Sequence, residues 1–140
     1  MLAIALAIPR PAPADLKAAL AERDLGRRSK LALDNAVEAM KSARAAFTRG
    51  DDASLAEAAA EVKESVNLAY DSLESTGKDP RRSPKWFKHA EIETRDLLKK
   101  VETLQQDLNF QDRHILDELK TRLQQVHDDL LLGLMEGRKK

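Results

Sequence analysis

The chain has no cysteine. That excludes a disulfide framework, thiol catalysis and cysteine-ligated zinc, and it leaves the redox compartment open. Aromatic residues amount to 4%, so a core must be built from Leu, Val, Ala and Met, which suits helix-on-helix packing better than sheets. Charge of one sign does not dominate. Lys+Arg and Asp+Glu both number 24, which argues against a generic polycation that wraps nucleic acid. Any electrostatic function has to come from how the charge is distributed. Long hydrophobic runs are missing as well: the apolar stretch at residues 1–8 is far shorter than the roughly 20 residues needed to span a bilayer.

At 140 residues, 42% hydrophobic and 34% charged, the chain is too apolar for disorder, too charged for a membrane bundle and long enough for one self-sufficient core. Residues 1–13 read as an apolar, Pro-rich leader or frayed tail ahead of a single domain at 14–140. The length of the leader and its small residues fit a secretory signal, but the cationic leading segment of such a signal is missing. A cleaved leader implies a secreted or periplasmic protein, an uncleaved tail a cytoplasmic one.

Helical periodicity runs through the rest. Pro13 and Asp15 open a short helix expected at 14–25, with Gly26 suited to ending it. Leu33, Ala36, Val37, Met40, Ala43 and Phe47 share one face of a helix expected at 29–48. Gly50 suits a left-handed stop, and Asp51 or Asp52 a cap for a helix at 52–76, where Ser54 and Glu57 also stand at capping-box spacing. Leu55, Ala59, Val62, Val66, Ala69 and Leu73 form its stripe. Ser83-Pro84 restarts a helix at 84–108, with serine placed to accept from free amides and proline pre-set for the first helical position. Phe87, Ala90, Thr94, Leu97, Val101, Leu104 and Leu108 repeat there at close to heptad spacing. A break at Asn109–Asp112 precedes a helix at 111–136 carrying Leu116, Leu119, Leu123, Val126, Leu130 and Leu134.

Helices of this number and length with short connections predict an all-α fold, an antiparallel up-down four-helix bundle with an additional short N-terminal helix. The first long pair is Ala-rich and the second Leu-rich, so closer packing is expected in the first. If the break near Asn109 is no turn, the last two helices form one rod and a coiled-coil homodimer instead.

The candidate site lies in the segment 77–88, which carries Lys78, Arg81, Arg82, Lys85 and Lys88 around Trp86, the only tryptophan. Lys85 and Lys88 fall in the first turn of a helix, where the backbone dipole already disfavours positive charge. Free amides ringed by cations suit an anion. Trp86 and Phe87 are adjacent and cannot both face the core, so one is available for stacking; the alternative is that Trp86 closes the core and the cations are merely solvated. Up-down topology gathers Arg27, Arg28, Lys30, Lys78, Arg81, Arg82, Lys85, Lys88, Arg138, Lys139 and Lys140 at one end against Asp79 and Glu136. The other end, 44–57 and 105–118, holds Arg44, Arg49 and Arg113 against seven carboxylates.

Other chemistry is thin. His89 with Glu93, and His114 with Glu118, stand one turn apart, a spacing that can hold a metal or orient a base. The two pairs are far apart in a hairpin, where Glu93 and His127 could instead face each other as a surface ion pair. The spacing Arg122-x4-His127 resembles the motif of the HEPN helical-bundle nucleases, which implies arginine and histidine acting on RNA phosphates. Five helical positions turn about 500°, so the two side chains project some 140° apart within one subunit. From Glu22 to Gly137 the chain also resembles an uncharacterised family of short bacterial all-helical proteins, on Ala45–Asp51, Leu68–Leu73, Ser83–Leu98 and Val126–Leu131. That resemblance implies a leader and a bundle, and no catalytic residues.

The expectation is a non-enzymatic interaction module with no catalytic residues, metal ligands or cofactor. Its site is Arg81, Arg82, Lys85, Trp86 and Lys88, and its partner is anionic: nucleic acid, lipid or an acidic protein surface. The alternatives are a HEPN-like RNase using Arg122 and His127, and a structural homo-oligomer.

Overall fold

A computed structural model describes residues 15–137. The leader at 1–13 and the basic tail Arg138-Lys139-Lys140 lie outside the described residues. Five α-helices follow one another: α1 Lys17–Ala21, α2 Leu25–Arg49, α3 Asp52–Ser75, α4 Pro84–Asp107 and α5 Asp117–Glu136, with a 3-10 turn at Arg113–Leu116 ahead of α5. The break at Asn109 is a true reversal: α4 and α5 pack as a hairpin and do not form a rod.

Local signals explain most of the boundaries, with two corrections. Gly26 does not end the first helix. α1 stops at Ala21, Glu22 is extended, and the Asp24 side chain accepts from the Arg27 amide at 2.9 Å to begin α2. Gly26 is therefore inside the first turn of α2, which begins at Leu25, four residues before the expected start at 29, for a reason local spacing does not show. The second correction concerns Ser83, whose side chain makes no capping hydrogen bond; Pro84 alone follows the expected pattern at the start of α4. Gly50 ends α2 in the left-handed region at φ 70°. Asp51 caps α3 with both carboxylate oxygens on Ser54, accepting from its amide at 3.0 Å and its hydroxyl at 2.6 Å. Ser54 is thus the capped residue and not the cap.

α2 and α3 form one antiparallel hairpin and α4 and α5 the other. Across the bundle α2 lies against α4, and α3 against α5, each pair running in the same direction. Gly26 meets Trp86 and Arg44 pairs with Asp107 along the α2–α4 seam. Along the α3–α5 seam, Lys63 pairs with Glu118, Asn67 with Arg122, and Tyr70 with Asp129. The segment 76–83 therefore crosses the end of the bundle diagonally.

Burial follows the expected stripes, with α2 rotated. Val37 and Phe47 are only half-buried, whereas Ala32, Ala39 and Ala46 are fully enclosed alongside Leu33, Ala36, Met40 and Ala43. Alanine with no side-chain entropy to lose lets α3 approach α2 closely, and the α2–α3 pair shares the most extensive backbone proximity in the fold. The second hairpin is filled by Leu97, Val101, Leu104, Leu119, Leu123 and Val126. α1 is pinned by Asn35, whose side-chain oxygen accepts from the Asp15 amide at 2.7 Å while its nitrogen donates to Glu61 and Ser65. Among the described residues no helix is long and apolar enough to cross a membrane.

Candidate anion-binding end

The loop before α4 is organised by Asp79. Its side chain accepts from the Arg81 amide at 2.9 Å, and its carbonyl accepts from the amides of Arg82 and Ser83 at 3.1 and 2.9 Å. This side-chain-stabilised turn orders the loop ahead of α4, in which Arg81 and Arg82 are exposed. Gly77 supplies the left-handed step, at φ 68°, that takes the chain off α3. Pro80 is buried, with its ring against Gly133 of α5.

Trp86 and Phe87 divide as adjacent residues must: Phe87 is buried in the core and Trp86 is half-buried. The indole lies directly on α2 at Gly26, where a Cβ would stand 2.2 Å from the ring. The ring also packs against the core, while the Lys85 ammonium is 4.6 Å from its centroid and His89 meets it edge-on at 6.4 Å. Beside it a groove of about 500 Å³ is lined by Arg23, Asp24, Lys78, Ser83, Lys85 and Trp86, among others.

All five expected site residues come together at this end. Arg81, Arg82, Lys85 and Lys88 are exposed, and with Lys78 and Arg27 they make no ion pair among the described residues. Other cations there are engaged. The Arg28 guanidinium donates to the Glu22 carbonyl, and Lys30 pairs with Asp34 at 2.9 Å, a hydrogen bond that raises the ammonium pKa. The end is less polarised than linear counting implies, because Glu22, Asp24 and Glu74 also stand here. The carboxylates Glu74, Asp129 and Glu136 gather on the side of a second groove under Pro80. Apart from Arg27 at the start of α2, these cations lie on the loop and the first turns of α4.

The histidines do not assemble into one site. His127 faces Glu91, not Glu93: Nε2 is 3.8 Å from Oε2, both side chains are 13% exposed, and the Arg95 Nε is 3.6 Å from the same oxygen. Glu93 forms no ion pair among the described residues, and its charge adds only a minor upward push to the Lys30 ammonium pKa, behind Asp34. A two-residue error in register reverses which neighbour a helical carboxylate meets, since two positions turn it about 200°. His114 is at the turn with Nδ1 2.7 Å from the Gln111 carbonyl. Arg122 and His127 look in different directions. Arg122 donates to Asn67 of α3 at 2.6 Å and lies over the Tyr70 ring, whereas His127 faces α4. Among the described residues no group of three or more potential metal ligands forms.

Spacing alone does not show the parts played by three residues: Gly26 reads only as a helix stop, Asp79 only as a countercharge, and Tyr70 has no role assigned. Asp79 could have been found from Asp-Pro, a turn-initiating pair. Tyr70 donates to Asp129, and burial together with that carboxylate holds its phenol well above the ordinary value of 10.0. Comparison of the chain with protein-family models, curated proteins and solved structures finds no match.

Proposed function

We propose that this protein is a non-enzymatic helical-bundle interaction module whose basic end engages an anionic partner. The observation that carries this reading is the set of exposed cations Lys78, Arg81, Arg82, Lys85 and Lys88 around Trp86, which make no ion pair among the described residues. Each cation near a helix start is disfavoured by about 0.3–1 kcal/mol, and none of these five makes an offsetting ion pair among the described residues. An external polyanion supplies that compensation and releases counterions as it binds. Trp86 is the only tryptophan, so its emission reports this end alone. Titration with an oligonucleotide, polyglutamate or anionic vesicles is expected to shift that emission, with affinity falling steeply between low and moderate salt. Absence of both the shift and salt-sensitive binding for all three probes rejects the role.

A further inference from the structure

Beside the cations lies exposed apolar surface. Leu131 is 38% and Met135 68% exposed in the last turns of α5, and Ile92 is 41% exposed on α4. The contact between Glu91 and His127 fixes how these helices face each other. On the α4 edge, Lys88 stands one turn before Glu91, and Ile92 is one turn beyond Lys88. On the α5 edge, Leu131 and Met135 follow His127 at four-residue steps. Both rows flank the outer face of the hairpin. The basic loop reaches the end of α5, where the Arg81 side chain and the Asp79 carboxylate both pass 3.2 Å from where a Cβ on Gly137 would stand, and Lys88 carries its charge onto the α4 row itself. Leu132 points elsewhere, lining the groove that holds Glu74, Asp129 and Glu136.

We infer that this corner docks onto an anionic lipid surface, with Leu131, Met135 and Ile92 entering the headgroup–acyl boundary and Arg81, Arg82, Lys85 and Lys88 contacting the headgroups. Apolar and cationic side chains in one exposed corner are what an interfacial binder needs, and neither set alone anchors well. Two observations favour lipid over nucleic acid. The Trp86 ring is engaged by Gly26, Lys85 and His89, which restricts its use as a platform for a base. The exposed apolar residues of this corner, Leu131, Met135 and Ile92, offer no π-face. The assignment rests on the anionic-partner role proposed above and names its source.

The test uses the full chain with vesicles of phosphatidylcholine alone, equimolar phosphatidylcholine and phosphatidylglycerol vesicles, and polyglutamate as a soluble polyanion. Flotation with the mixed vesicles only is expected. Leu131→Ser/Met135→Ser is expected to weaken that binding about tenfold while leaving polyglutamate binding unchanged, and Arg81→Glu/Arg82→Glu is expected to lower both. These side chains are exposed, and circular dichroism verifies that each variant remains helical. Polyglutamate binding without vesicle binding overturns the lipid assignment and leaves the anionic role standing. Binding to neither removes both. Vesicle binding indifferent to Leu131→Ser/Met135→Ser shows that the apolar corner is not used, and a dimer abolished by the same pair assigns the corner to a second copy of the chain; either result overturns the inference.

Discussion

α2 and α3 meet through alanine and serine, with Ala36, Ala43, Ala59, Ser65, Ala69 and Ser72 buried between them. α4 and α5 meet through leucine and valine, and Leu97, Leu104, Leu119, Leu123 and Leu130 are buried there. The first hairpin is stabilised by close backbone approach and the dispersion contacts that follow from it, the second by the volume of its side chains. The seams between hairpins differ in a similar way. α2 and α4 meet at one end through an indole laid on a glycine, whereas α3 and α5 are tied by Tyr70–Asp129, Asn67–Arg122 and Lys63–Glu118. One fold thus uses two packing regimes, and a substitution harmless in one is costly in the other.

The largest effects separate the hairpins. Leu123 is fully buried, and Leu123→Ala is expected to cost about 2–5 kcal/mol through lost transfer energy and a residual cavity. Ala43 is equally buried, but there the damaging change is enlargement. Ala43→Leu is expected to cost about 1–3 kcal/mol by forcing α2 and α3 apart. Denaturant titration of both variants checks this, and a well-tolerated Ala43→Leu breaks the distinction.

Gly26→Ala extends the test to the α2–α4 seam. Its new methyl would overlap the Trp86 ring at 2.2 Å, and the ring is the packed body of that side chain rather than a flexible tip. Overpacking of about 1–3 kcal/mol outweighs a helix-propensity gain of at most about 1 kcal/mol. A net loss of stability with a shift in tryptophan emission is expected. Stabilisation without a spectral change would show that the indole does not press on the backbone.

The smallest effect probes the polar seam. Tyr70 is the only tyrosine, and its phenol is raised above 10.0, first by burial and then by its hydrogen bond to Asp129. The fold therefore favours the protonated phenol. That contribution is complete below pH 10, the ordinary value, and is lost as pH rises through the higher folded value. Ultraviolet titration is expected to show tyrosinate forming later in the native protein than in denaturant. Tyr70→Phe, at a cost of roughly 0.5–1.5 kcal/mol, removes this difference from the pH dependence of stability.

The long helices were legible because each carries an uninterrupted apolar stripe, and Gly50, Asp51 and Pro84 mark boundaries by their own backbone chemistry. Gly26 was not. Read locally, a glycine after Leu25 is a stop, but its role is set by Trp86, sixty residues later in sequence. Ser83 carries the residue type of a cap, yet its side chain accepts nothing from α4, and only Pro84 follows the local pattern. Glu91 and Glu93 show the limit of periodicity across a hairpin, where the facing carboxylate depends on helix rotation as well as distance from the turn. The basic end was legible as a cluster, since up-down topology brings its segments together. The apolar residues beside it were not, because Leu131 and Met135 continue an amphipathic pattern and only the packed helices show which members stay uncovered.

The diagonal course of residues 76–83 has a mechanical meaning. It is the only covalent link between the two hairpins, and it lies at the end where α2 begins, α3 finishes, α4 begins and α5 finishes. The opposite end holds just the two turns internal to each hairpin. A ligand seated on the strap therefore touches the start or finish of every long helix at once and acts as an external staple between halves. By mass action such a ligand resists separation of the hairpins by an amount set by its own affinity, and cleavage of the strap is the one backbone cut that would leave two intact hairpins dependent on their seams and on whatever is bound.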